Sequence, residues 1–217
     1  KYVGGNPAIH LSAGLAVVHD KYPVRQAAED AGEALDDAKA LPAGTGADEP
    51  AKNAIAAFGE VVPWATLRRA RELARTLEQA VGSKVSRDVD DDGSGGSRAP
   101  RQLLRLALRL CAMEAQAREL TNAREAKRAA DRDARGDPPV VTTGSNRRER
   151  QVAWGSWMWL GQYALGRMAQ DKRAPVALVR LMRDATTSPQ GMAELRIGAT
   201  WADLAIRKRE SRGQGER

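Results

Sequence analysis

Two structural periods follow each other between Ile9 and Lys39, and they constrain the fold more than any other feature of the chain. From residue 9 to residue 17 every odd position is apolar, which is the period of two that places one face of a strand on a core. The even positions carry small residues such as Ser12 and Gly14, which let a helix or a ligand approach closely. We therefore expect a strand over residues 9–17 with its odd face buried.

A one-sided helix is predicted directly after this strand. Pro23 suits the first turn of a helix, where a missing backbone donor costs nothing, and apolar residues then recur at three-residue and four-residue spacing as far as Ala38. The helix should end near Leu41, just before Pro42. A short apolar segment over residues 53–59 is predicted to form a second strand. The result is a strand–helix–strand unit that is too small to fold alone.

Helical patterns replace the strand alternation beyond Pro63. An apolar stripe predicts a helix that stops near Gly82, and a long helix is expected from about Pro100. Further helices are predicted from Asn146, over residues 175–185 and over residues 189–208. The predicted fold class is α+β, with a first domain over residues 1–63, a helical domain over residues 64–217, and flexible loops near residues 84–99 and 136–145.

Composition excludes several classes of protein. The chain has one cysteine, Cys111, and two histidines, so it holds neither an internal disulfide nor a Cys-rich or His-rich metal site. Its longest apolar runs are much shorter than the roughly 20 residues of a membrane span, and its first residues lack the order of a signal peptide. We expect a cytoplasmic protein with no membrane partner.

Positive charge is concentrated in the later part of the chain. Residues 1–63 have five Lys or Arg against nine Asp or Glu, residues 64–144 have sixteen against twelve, and residues 145–217 have fourteen against seven. Such an excess of Arg favours contact with phosphate backbones or acidic partners, because each neutralised phosphate releases counterions. The alternative explanation is a set of solvated helix faces, and both interpretations are open.

Several segments have the form of a chemical site, but a structural explanation is preferred for each. The segment from Asp88 to Gly93 matches the opening of a calcium loop, yet Ala99 stands where a bidentate Glu is required, so a solvated acidic loop is preferred. His10 has no triad partner at a fixed spacing, and Cys111 lies on an apolar helix face, where a buried thiol is inert. Tryptophans can stack on nucleobases, although helical spacing makes most of these four core residues: Trp154, Trp157, Trp159 and Trp201.

Lys39 and Lys52 flank the end of the predicted helix and the second strand. A lysine at this position can pair with a phosphate as a point charge. From the residues alone, a solvated lysine that interacts with the helix dipole is the better explanation.

Three segments together resemble the large subunit of type III CRISPR effector complexes, a protein with two palm domains that makes cyclic oligoadenylates from ATP. They are the strand Ser12-Ala13-Gly14 with Lys21-Tyr22-Pro23 after it, the Ala-rich helix that closes on Ala38-Lys39, and Lys52-Asn53 leading into Phe58-Gly59 and Trp64. The resemblance covers about residues 4–64. The rest of the chain resembles the C-terminal helical domain of the same family through its helical character, Val85-Ser86-Arg87 and the helix that carries Tyr163.

This resemblance implies an incomplete palm-like unit, similar in outline to the GGDEF cyclases, in which a lysine at the helix end contacts a triphosphate. Lys39, Lys52 and Ser12 are accordingly expected to bind nucleotide, and the complete protein would use ATP with Mg²⁺ or Mn²⁺. The Gly-Gly-Asp-Asp metal motif of the family belongs upstream, and Gly4-Gly5-Asn6-Pro7 is not a copy of it. Two-metal chemistry needs those carboxylates, so no catalytic residue is assigned and the chain is expected to be an inactive fragment beginning at Lys1.

The expected function is that of the C-terminal portion of this large subunit, in an RNA-guided ribonucleoprotein of antiviral defence. The chain would pack against other subunits of the complex and contact the guide RNA and the target RNA. The basic residues expected to make RNA-backbone or subunit contacts are Arg147, Arg148, Arg150, Arg207, Lys208 and Arg209. Two alternatives are half of a split nucleotide cyclase that another chain completes, and a stand-alone basic helical RNA-binding module.

Overall fold

The computed structural model describes residues 10–41, 53–82, 98–135, 156–170 and 175–215. The chain divides into two compact units, of which the first comprises residues 1–78 and 196–217 and the second comprises residues 79–195. The predicted domain border between residues 63 and 64 lies where the last strand meets a helix. The first unit thus contains residues from both ends of the chain.

The first unit contains a small sheet with one helix between its parallel strands. Strand β1 (Ala13–Leu15) pairs in parallel with β2 (Ala54–Ala57), and β2 pairs antiparallel with β3 (Glu60–Pro63), so the strand order is β1-β2-β3. Helix α1 (Val24–Ala40) joins β1 to β2. The α+β class and the strand–helix–strand unit are confirmed, and β1 is shorter than the predicted strand over residues 9–17.

Gly14 allows α1 to lie directly on the sheet. A Cβ at this position would overlap the backbone of α1 at Ala31 and Leu35, and it would lie 2.8 Å from the carbonyl carbon of Ala34. The expectation that small residues on the even face of β1 admit a helix is therefore confirmed at Gly14. Small residues continue this contact as a cluster of Ala38, Ala54 and Ala56, with Ala34, Leu41 and Val61 packed against it.

The prediction that the odd face of the first strand is buried is wrong. Leu11, Leu15 and Val17 are 66%, 45% and 53% exposed. The physical reason is steric, because α1 approaches the face whose side chains are smallest, and only Gly14 lets the two backbones come so close. The periodicity indicated a strand correctly, but side-chain size decided which face the helix covers.

Strand β3 is a further difference from the sequence prediction, which ended the sheet at Gly59. Phe58 and Gly59 form a two-residue loop with φ values of 54° and 77°. A type I′ hairpin turn requires positive φ at both positions. Phe is a rare residue for the first of them, so the sequence lacked the usual Asn-Gly or Asp-Gly signal. All four residues of β2 are buried, and in β3 Glu60 and Val62 are buried.

Two long helices complete the first unit. Helix α2 (Trp64–Gly82) follows β3 directly and ends at Gly82 as predicted, and the later part of α6 (Pro189–Gly215) belongs to the same unit. A Cβ at Gly198 of α6 would lie 2.9 Å from the carbonyl oxygen of Ala70 in α2, so the two helices are in close contact there. Arg209 near the end of α6 forms a 2.6 Å ion pair with Glu78.

The second unit contains helices α3 (Arg98–Asp133), α4 (Ser156–Gln170) and α5 (Val176–Ala185), together with the beginning of α6. These agree with the predicted long helix from about Pro100 and with the helices over residues 175–185 and 189–208; the predicted start at Asn146 lies outside the described residues. The fully buried large side chains of this unit are Leu103, Leu110, Leu165, Leu178, Val179, Met182, Met192 and Leu195.

Local contacts define the ends and crossings of these helices. Gly161 allows α4 to approach α3, because a Cβ there would lie 3.1 Å from a methyl group of Leu110. Ser188 caps α6, since its Oγ accepts a hydrogen bond from the backbone N–H of Gly191 at 3.0 Å. None of the described helices combines the length and apolar character needed to cross a bilayer.

Candidate functional site

The β1–α1–β2 connection brings two of the predicted nucleotide-binding residues to one edge of the sheet. In such a unit the helix runs back along the strands, so its carboxyl end meets the amino ends of both strands. Ser12 immediately precedes β1, and Lys39 lies in the last turn of α1 beside Ala38, which packs against Ala54 at the start of β2. We call the surface formed by Ser12, Lys39 and Asn53 the amino edge.

The register of the strands supports this placement. Ala13 lies opposite Ile55, so Ser12 is level with Ala54. Lys52, the third predicted residue, is next to Asn53 in the chain but lies outside the described residues. Ser12 itself is half-buried, whereas Lys39 is exposed.

Lys39 is held only loosely. Its Nζ lies 3.0 Å from Oδ1 of Asp36, one turn earlier in α1, and the two side chains are 48% and 77% exposed. An exposed ion pair of this kind contributes at most about 1 kcal/mol, so a phosphate group could replace the carboxylate as the partner of Lys39. The charge of the whole helix acts in the opposite direction, because α1 carries two basic and five acidic residues.

At the amino edge, Lys39 is the charged side chain among the described residues. Within the described residues, no three His, Cys, Asp or Glu side chains lie close enough to hold a metal ion. The segment from Asp88 to Gly93, with its partial calcium pattern, and the sequence Gly4-Gly5-Asn6-Pro7 both lie outside the described residues. Within the described residues, the amino edge offers the exposed ammonium group of Lys39 in the last turn of α1.

Two of the basic residues predicted to contact RNA, Arg207 and Arg209, have carboxylate partners. Arg207 lies 2.8 Å from Asp203 in the same helix, and Arg209 pairs with Glu78 of α2, with Arg207 and Arg209 72% and 66% exposed. Lys208 is exposed between them. Arg147, Arg148 and Arg150 lie outside the described residues. The exposed guanidinium groups remain accessible to a polyanion, which would compete with their partners.

The residues for which a structural role was preferred differ in how deeply they are buried. Cys111 is buried, as expected, and so is Trp157, whereas Trp154 lies outside the described residues. Trp201 is 38% exposed. Trp64, which belongs to the resemblance, donates a hydrogen bond from Nε1 to the carbonyl oxygen of Leu11 at 2.8 Å and so fastens the chain before β1 to the start of α2.

Trp159 is 75% exposed. Of the three described rings among these four tryptophans, only Trp157 is buried, so the expectation that most of them lie in the core is not met there. Tyr163, one turn later in α4, is 67% exposed, and the guanidinium carbon of Arg167 lies 5.9 Å from the centre of its ring. We call Trp159, Tyr163 and Arg167 the aromatic stripe. Their spacing of four residues was visible in the sequence, but the sequence did not show which side of α4 faces the core.

Tyr22 forms a second contact that the sequence did not reveal. Its hydroxyl donates a hydrogen bond to Oδ2 of Asp30 at 2.8 Å, and its ring meets that of His19 edge to face at 5.5 Å between centres. This hydrogen bond raises the pKa of Tyr22 above its ordinary value of 10.0, and desolvation and the negative charge of Asp30 raise it further. The contact fixes the turn that leads from β1 into α1.

Comparisons with models of protein families, with curated proteins and with solved structures find no match to this chain.

Proposed function

We propose that this chain is part of the large subunit of a type III CRISPR effector complex, where it packs against other subunits and contacts the backbone of guide and target RNA. The observation that carries the proposal is the parallel β1–α1–β2 unit, in which α1 rests on Gly14 and ends at Lys39 beside the start of β2. The described residues of the segments on which the resemblance depends belong to one compact unit, which supports the proposal. A stand-alone helical RNA-binding module would not need this unit.

In this proposal the amino edge is a remnant of a palm-like nucleotide site. The complete protein would make cyclic oligoadenylates from ATP, with Mg²⁺ or Mn²⁺ held by carboxylates of the Gly-Gly-Asp-Asp motif. Lys39 would neutralise part of the triphosphate charge, and Ser12 would lie beside it, with Lys52 as a further phosphate contact. Because α1 is acidic, the nucleotide would bind with its divalent cation, whose charge reduces the repulsion.

RNA contact would depend on the basic residues of the later part of the chain. Fourteen Lys or Arg against seven Asp or Glu after residue 144 provide a net attraction for phosphates. Arg207 and Lys208 are exposed on α6, and Arg147, Arg148, Arg150 and Arg209 are the other proposed contacts. This binding would not depend on base sequence, because specificity would come from pairing with the guide.

Co-purification and salt-dependent binding test the proposal. The tagged chain, expressed with the other subunits of a type III complex and a guide RNA, should be recovered in the assembled particle. With RNA alone, neutralising Arg207 and Lys208 together should reduce the slope of log K against log salt by about 1 to 2. Arg25→Gln is the matched control, because Arg25 is 91% exposed but lies on the acidic helix α1. Absence of both association and salt-dependent binding would refute the proposal.

The second candidate function is half of a split nucleotide cyclase, favoured by the meeting of Ser12 and Lys39 at one edge. The test adds a second chain that carries a Gly-Gly-Asp-Asp palm segment and measures ATP conversion with Mg²⁺ or Mn²⁺. Lys39→Ala should lower the conversion at least tenfold, since one charge-assisted phosphate contact is lost. Arg25→Ala on the same helix should leave it unchanged. If no ATP is converted with the intact chain, the cyclase candidate is wrong and the assembly proposal is unaffected.

A further inference from the structure

The aromatic stripe on α4 is the surface whose exposure most needs an explanation. Trp159 and Tyr163 are 75% and 67% exposed, although Trp157 on the same helix is buried. Large aromatic side chains that are exposed to water are typical of binding surfaces, because they can bury much apolar area on contact at a small cost in side-chain entropy. Trp159 and Tyr163 are thus available for contact with a ligand.

The charge around the stripe restricts the kind of ligand. Residues 156–170 contain Arg167 and no Asp or Glu. On α5, the exposed Arg183 donates a hydrogen bond from Nε to Oε1 of Gln162 on α4 at 3.2 Å, which places a second cation beside this helix. Two rings accompanied by guanidinium groups match a ligand that has both flat apolar faces and negative charge.

The spacing of the stripe favours bases that are not stacked on one another. Residues four apart on a helix are separated by about 6 Å along its axis, whereas stacked bases follow each other at about 3.4 Å. Neighbouring bases of a duplex cannot each lie on one of the two rings. An extended single strand can place one base on Trp159 and another on Tyr163, with a phosphate near Arg167.

We infer that Trp159, Tyr163 and Arg167 form a stacking site for unpaired bases of single-stranded nucleic acid. The inference goes beyond the proposed backbone contacts, because it concerns the bases, and it does not depend on membership of an effector complex. Arg167 lies at the edge of cation–π distance from Tyr163, and its exposed side chain can turn from the ring to a phosphate.

The test uses the full chain and three probes: a single-stranded oligonucleotide, the same strand with abasic sites, and the matched duplex. Trp159→Ala and Tyr163→Ala should each weaken binding of the base-bearing strand about tenfold, whereas Trp159→Phe should retain most of the affinity. The abasic strand should bind weakly to the unaltered chain and equally weakly to both alanine variants. Arg167→Gln should instead lower the salt slope by about one.

Leu160→Ala is the matched control, since Leu160 is 46% exposed on the same helix but has no π face. The altered residues are exposed, so thermal melting of each variant should match that of the unaltered chain. Equal loss with Leu160→Ala and Trp159→Ala, or equal affinity for abasic and base-bearing strands, would overturn the inference. The inference would also be overturned if the chain bound a protein subunit or a vesicle saturably through Trp159 while Trp159→Ala left its affinity for the single strand unchanged. If the chain binds RNA in a salt-dependent way but Trp159→Ala and Tyr163→Ala do not weaken that binding, the proposed function is unaffected and only the stacking site is wrong.

Discussion

Gly14 is the residue on which the sheet of the first unit most directly depends, and it gives the sharpest stability prediction. Gly14→Ala would place a methyl group against the backbone of α1, and backbone cannot move aside as a flexible side chain can. We expect the free energy of unfolding to fall by about 3 kcal/mol, as measured by urea denaturation.

Gly32→Ala is a matched control in the same structural unit. Gly32 is exposed in α1 and has nothing within 4 Å of an added Cβ. Because alanine favours a helix interior over glycine, this variant should gain about 1 kcal/mol. Equal and small effects of the two substitutions would show that α1 does not lie on β1 as described.

Tyr22 provides a prediction about pH. The hydrogen bond to Asp30 raises the pKa of Tyr22 above 10.0 in the folded protein. A raised folded-state pKa means that the contribution of this contact to stability is complete below pH 10 and is lost as the pH rises through the raised value. Asp30→Asn should bring the pKa of Tyr22 back toward its ordinary value. The tyrosinate absorbance of each protein, with the matching Tyr22→Phe chain subtracted, measures this change; an unchanged titration would contradict the contact.

At the scale of whole elements, sequence periodicity predicted which segments form helices and strands better than it predicted which of their faces are buried. The helix after Pro23, the strand near residue 55 and the stop at Gly82 follow from local preferences, and the structure has all three. The buried face of β1 was predicted wrongly, because the pattern of apolar residues contains no information on how closely a helix can approach. Strand β3 was missed, because its turn uses Phe58 at positive φ where Asn or Asp is usual.

The contact between β3 and α6 is an element-scale feature that no local pattern could reveal, since Glu60 and Arg196 are far apart in the chain. Arg196 Nε lies 2.8 Å from Glu60 Oε1, and the two side chains are 17% and 8% exposed. Removal of one partner leaves a charge in a site with little water, which typically costs about 3 kcal/mol. We expect Arg196→Leu alone to be strongly destabilising, and Glu60→Leu with Arg196→Leu to cost much less than the sum of the single changes.

A double-mutant cycle by urea denaturation measures this coupling. The pair Arg207 and Asp203, in which the arginine is exposed and the aspartate is half-buried, is the control, and its coupling should be at most about 0.5 kcal/mol. If the effects of Glu60→Leu and Arg196→Leu simply add, the two side chains do not interact in solution.

At the scale of the whole molecule, the sequence predicted the order of the elements better than the packing between them. The order of strand and helix was sufficient to bring Ser12 and Lys39 to the amino edge, because a parallel connection always returns the helix end to the start of the next strand. The pair Arg207 and Asp203 follows a four-residue spacing within one helix. The partner of Arg209 and the exposure of Trp159 could not be predicted, since each depends on which elements pack together. The C-terminal residues join the first unit for the same reason.

The division into two units predicts that each can open locally while the other stays protected. Hydrogen exchange follows cooperative units rather than single residues. Gly14→Ala should therefore accelerate exchange in β1, β2 and α1, and leave the amides of α4 and α5 near their original rates. Gly191→Ala provides the reciprocal change in the second unit, because its Cβ would overlap the carbonyl group of Ala185, and it should accelerate exchange in α5 while sparing the sheet. Mass spectrometry of peptides from both variants makes the comparison. Acceleration spread equally over both units by either variant would mean that the chain unfolds as one cooperative body. In that case the boundaries within α2 and α6 would not separate units of stability.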